Sequence, residues 1–122
     1  MDEVGRAIER DTLGEHERQA EFRSHEDFAP LLQFICEQYR IEKSDLYLLR
    51  VIPDQFDEEF LIWVWPDRVV GLEIAYDGSG FEIVRTETIH THKKRLRGYD
   101  AKHFKIIEHI ALSEHGQSRL QR

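Results

Sequence analysis

"PDQFDEEFLIWVWPD", residues 53–67, sets four carboxylates (Asp54, Asp57, Glu58 and Glu59) directly before an unbroken apolar run from Phe60 to Trp65. It then closes with Pro66-Asp67, a pair suited to the centre of a tight turn. The apolar run reads as a strand, and a second strand starts almost at once at Val69. Strands joined so briefly are antiparallel neighbours, because a parallel crossover needs a dozen or more residues. A two-residue turn would put Trp63 opposite Val70 and Leu61 opposite Leu72. Leu61 and Trp63 would then face the core, and Phe60, Ile62 and Val64 would emerge on the other face, the one marked by Glu73.

Outward from this hairpin, Leu46–Ile52 reads as the preceding strand and Phe81–Ile89 as the last one. The loop "DGSG" (77–80) links the last strand to Val69–Tyr76. A helix is predicted upstream from Phe28, Leu31, Leu32, Ile35 and Tyr39, which form one stripe at helical spacing. Asp27 would cap it and Pro30 would fall in its first turn. Downstream, Phe104, Ile107 and Ala111, widened by Ile106 and Ile110, predict a helix capped by Asp100 and stopped at Gly116. Residues 1–23 read as a weakly packed helical arm, interrupted at Gly14 and docked through Val4 and Ile8. Residues 117–122 read as a loose tail. The expectation is one α+β domain over 24–116: a two-layer, four-stranded antiparallel β-meander flanked by helices in the order α-α-β-β-β-β-α.

The bulk properties restrict function. The chain has 122 residues, 34% of them charged, and a net charge of −7. That charge repels a polyphosphate backbone, so nucleic acid is an unfavourable partner. No apolar run reaches the roughly 18 residues of a membrane span. The single cysteine, Cys36, forms no internal disulfide, and the expected location is the cytoplasm. Four catalytic signatures are missing: the phosphate loop, the nucleophile elbow, the paired-histidine zinc motif and the dinucleotide fingerprint.

In a meander, the loops at 53–59 and 77–80 leave the same end. Asp54, Asp57, Glu58, Glu59 and Asp77 should therefore gather on one acidic rim, beside the apolar strip of Phe60 and Ile62. The opposite end carries "HTHKKRLRG", residues 90–98, with Lys93, Lys94, Arg95 and Arg97 as a weak anion-binding patch before a helix N-terminus. His90 and His92, two apart on a strand, would share a face and could pair with His103 as zinc ligands. Asp54, Asp57, Glu58 and Asp77 carry oxygen ligands that Ca²⁺ would accept, without EF-hand spacing. No cofactor is required by these patterns. Arg85 and Glu87 would fall on the inner face of the last strand.

These features favour an acidic protein-binding module of the inhibitor, immunity, antitoxin or chaperone kind. It would dock a basic partner through the rim and the apolar strip. The competing arrangements are cover of that strip by the N-terminal arm within the monomer, or by a second copy in a homodimer. The alternative function is a divalent-cation-binding or small enzymatic domain centred on the acidic loops or on Arg85 and Glu87.

Overall fold

The computed structural model describes residues 3–53, 58–75 and 80–120, with side chains described for 12–53, 58–75 and 80–116. The elements are α1 (Glu3–Ser24), α2 (Ala29–Tyr39), β1 (Leu46–Pro53), β2 (Glu58–Val64), β3 (Arg68–Ile74), β4 (Phe81–Thr88), α3 (Ile89–Arg95) and α4 (Gly98–Leu120). The four strands form one antiparallel sheet in the order β1-β2-β3-β4. The α+β class and the meander are as the sequence indicates.

The β2–β3 turn decides which side chain goes where. It takes three residues, Trp65, Pro66 and Asp67, so Val64 pairs with Arg68 and Trp63 with Val69. Trp65 has left the strand. Its ring stacks flat on His115 at 4.4 Å, and its backbone N–H donates to the Asp45 carbonyl at 2.8 Å. The Trp63 indole N–H closes the turn on the Pro66 carbonyl at 3.1 Å. A one-residue change of register moves every side chain of a strand to the other face. Ile62 and Val64 therefore join Val70 and Leu72, where the sequence reading had placed them on opposite faces.

The consequence is a sheet buried on both sides. Leu46, Leu48, Ile62, Val64, Val70 and Leu72 pack under α2 through Leu31, Leu32 and Ile35, with Phe22 of α1. Tyr47, Leu49, Leu61, Trp63 and Val69 pack under α4 through Phe104, Ile107, Ile110 and Ala111. The strong helices lie on opposite faces, so the sheet is the middle of three layers rather than half of two. The apolar strip expected on an uncovered face is core: Ile62 is fully buried. Each such side chain contributes about 1.5–3 kcal/mol.

Local signals shift several boundaries. His25, not Asp27, supplies a cap: its ring nitrogen accepts from the Asp27 N–H at 3.1 Å, opening a short 3₁₀ turn that leads into α2. Pro30 sits in the first turn of α2. Thr88 ends β4 by capping α3, its hydroxyl accepting from the Thr91 N–H at 3.1 Å. His90 and His92 are consequently helical. Gly98, in the left-handed region with φ 55°, turns the chain into α4, which runs through Gly116 instead of stopping there.

α1 continues through Gly14, and in its described half it docks through polar side chains as well as Phe22. The side chains of Val4 and Ile8 lie outside the described residues. Gln19, 1% exposed, donates to the Leu48 carbonyl and accepts from the Leu48 N–H, both at 2.8 Å. This amide reproduces the hydrogen-bond pair of a neighbouring strand. Arg18 adds a bond to the Leu48 carbonyl at 2.7 Å and Arg23 one to the Leu46 carbonyl at 3.1 Å. The outer edge of β1 is thereby closed to another chain.

Gln19→Ala orphans the buried Leu48 N–H and should lower stability by about 1–3 kcal/mol. Urea unfolding measures this, and an unchanged midpoint would show that water serves the edge equally well.

Candidate functional site

The register fixes two chemically different ends. Pro53 pairs with Glu58 and Ile74 with Phe81 at one end, while Val64 pairs with Arg68 and Arg68 with Thr88 at the other. The β1–β2 and β3–β4 connections therefore leave together, and α3 leaves opposite them. Asp54, Asp57 and Asp77 lie outside the described residues. Glu58 and Glu82 are exposed at that end.

Glu59 is turned inward. It is 6% exposed and takes the Arg85 guanidinium at two points, each 3.2 Å. The pair lies across Gly71, where a Cβ would come within 2.7 Å of Glu59 Oε1 and 3.0 Å of the Arg85 Cβ. Only glycine leaves room there for the carboxylate. A bulge between Gly71 and Leu72, with Val84 as the extra residue of β4, puts Arg85 opposite Gly71 and Glu87 opposite Val69, on the α4 face.

Of the expected apolar anchors, Ile62 is interior and Phe60 is half-buried, its ring edge-on to Phe28 at 6.5 Å. Two residues not singled out from the sequence are exposed instead. Val51 (36%) pairs with Phe60, and Ile74 (46%) pairs with half-buried Phe81. Both sit on the α2 face at the acidic end. Alternation with Val70 and Leu72 was the signal for Ile74, whereas the face of Val51 turns on the bulge between Leu48 and Arg50, which is silent in the sequence.

At the other end the basic run is largely engaged. Lys93 pairs with Glu108 at 2.6 Å, Arg95 with Glu87, and Arg97 donates to the Lys94 and Leu96 carbonyls at 2.8 Å. Lys94 is exposed. His90 is exposed and His92 buried, since residues two apart on a helix do not share a face. That separates the pair expected to bind zinc. Among the described residues, no group of three or more His, Cys, Asp or Glu is placed to hold a metal ion.

α3 and the first turns of α4 instead form a cleft of about 50 Å³ against β1 and β2. Leu49, Leu61, Phe104 and Ile107 line it with hydrocarbon, and Arg50, Asp100, His92 and His103 bring the polar groups. Each imidazole is held from behind. His92 Nδ1 lies 3.1 Å from Glu87, which Arg95 also grips. His103 Nε2 lies 2.5 Å from Glu15, which also receives Arg18 at 2.8 Å and Gln19 at 2.9 Å. Burial pushes the Glu15 carboxyl up, but the hydrogen bonds from His103, Arg18 and Gln19 and the Arg18 charge outweigh it. The carboxyl is held below the usual range.

With this geometry in view, comparison of the chain with protein-family models, curated proteins and solved structures finds no match. No helix among the described residues is long and apolar enough to cross a membrane.

A carboxyl whose acidity is raised by folding contributes stability above its unfolded titration range and loses it as pH falls through the folded value. The stability gap between the wild type and Glu15→Gln should therefore be widest near neutral pH and close as the pH falls below the usual carboxylate range. Urea melts across that range measure it, and a gap independent of pH would exclude the Glu15 charge as its source.

Proposed function

We propose that this protein is a non-enzymatic binding module that docks a basic protein through the hairpin end of its sheet. One observation carries the reading: exposed Val51 and Ile74 lie at the same end of the sheet as the exposed carboxylates Glu58 and Glu82. The sequence adds Asp54, Asp57 and Asp77 to the connections leaving that end. Carboxylates would steer a cationic partner, and the two aliphatic side chains, with Phe60 and Phe81 half-buried beside them, would supply the dry contact. Glu59 takes no part, since Arg85 neutralises it.

A second copy of the chain is a poorer occupant. Two-fold pairing of this patch would set like charges against each other on a body of net charge −7. The cleft beside α3 does not compete for this role. Pockets for metabolite-sized ligands run to about 300–1,000 Å³, several times its 50 Å³. Burial pushes the Cys36 thiol up and away from the reactive thiolate, which argues against a nucleophile there.

The test is capture of interacting proteins by the purified chain at low salt. Basic proteins held by the wild type should be lost at about 0.5 M salt, where screening shortens electrostatic reach to a few ångströms. They should also be lost from Glu58→Lys/Glu82→Lys. Val51→Asp/Ile74→Asp should shorten the lifetime of the complex while leaving the fold intact. Capture of the same proteins by all variants would refute the reading.

A further inference from the structure

We propose that the cleft at the start of α4 binds a small oxyanion, of the size of phosphate or acetate, through Arg50, His92 and His103. The site is separate from the hairpin end and does not depend on it. Its size is the first argument. A water needs about 10–15 Å³, so 50 Å³ admits about three to five waters, or one group of four or five heavy atoms.

Charge is the second. Three carboxylates surround the cleft, and each has its own guanidinium: Glu15 of α1 with Arg18, Glu87 of β4 with Arg95 of α3, and Asp100 of α4 with Arg50 of β1. Lys93 of α3 is taken by Glu108. These pairs cancel, and the two imidazoles set the sign of the site. His92, with a side chain only 10% exposed, commits Nδ1 to Glu87, and His103 commits Nε2 to Glu15. A carboxylate only accepts, so the ring nitrogen facing it carries the hydrogen. Nε2 of His92 and Nδ1 of His103 are then the nitrogens left for a ligand. In its doubly protonated form each ring donates from that nitrogen to an oxyanion while its other N–H stays with the carboxylate behind it.

The remaining features act in the same direction. α4 is a 23-residue helix whose first turn forms one wall, presenting the positive end of its dipole. Asp100 occupies that turn, but its pair with Arg50 at 3.2 Å is solvent-exposed on both sides. Arg50 gives Nη1 to Asp100, and a guanidinium has further N–H groups to offer an anion while that pair holds. Tyr99 stacks on the His103 ring at 6.0 Å and holds its plane.

The experiment is calorimetric titration of the purified chain with inorganic phosphate, sulfate and acetate separately, each in two buffers of different ionisation enthalpy. Saturable one-site binding of at least one anion is expected, with proton uptake seen as a buffer-dependent enthalpy. Arg50→Ala should weaken it about tenfold, the loss of one charge-assisted bond. Leu96→Trp, which enlarges a side chain lining the cleft, should abolish it. Arg50 is exposed, so its variant keeps the fold even where the cleft-filling one does not. No saturable heat with any of the three anions, or an unaltered affinity in Arg50→Ala, would overturn the proposal.

Discussion

The stacking of Trp65 on His115 governs the arrangement of the whole sheet. By lying flat on that imidazole and donating its backbone N–H to Asp45, Trp65 belongs to the turn and not to β2. The turn then holds three residues, and the parity of β2 follows. Ile62 and Val64 meet α2 while Leu61 and Trp63 meet α4. That contact, with the Glu59–Arg85 pair over Gly71, selects the register of a strand whose two faces are otherwise hydrocarbon. The two helix layers therefore depend on a residue that contributes to neither strand of the hairpin.

The two faces have divided their work. Under α2 the packing is hydrocarbon from Phe22 to Leu72. The α4 side contains hydrocarbon too, but Glu59 with Arg85, Glu87 with His92 and Arg95, and Glu15 with His103 are set around its margins. Glu59 and Glu15 are fixed by partners from distant parts of the chain, and Glu87 by two residues of the adjoining helix. Buried ionisable groups are thus concentrated on one side, and the interior of the other is hydrocarbon.

What the sequence reveals here depends on how local the cause is. The stripe from Phe28 to Tyr39 and the row from Phe104 to Ala111 announce helices because periodicity is a property of neighbours along the chain. The meander follows equally from short connections. The faces of β2 were not legible, because the turn length rests on His115, fifty residues downstream of Trp65. The bulges at Leu48–Arg50 and at Gly71–Leu72 are likewise tertiary, and they decide where Val51, Arg85 and Glu87 point. The cleft was invisible for the same reason: Glu15 and His103 are 88 residues apart. A helix-capping Thr88 was within reach of a local reading, and with it the separation of His90 from His92.

The amide of Gln19 lying along β1 also bears on how the chain emerges from the ribosome. α1 is synthesised before the strand whose flank it seals. When the backbone groups of Leu46 and Leu48 first appear, their eventual partners on Gln19, Arg18 and Arg23 are already outside and tethered fewer than thirty-two residues away. The nascent strand can therefore be shielded by its own predecessor, before β2 exists to pair with its inner side and before a neighbouring nascent chain can compete.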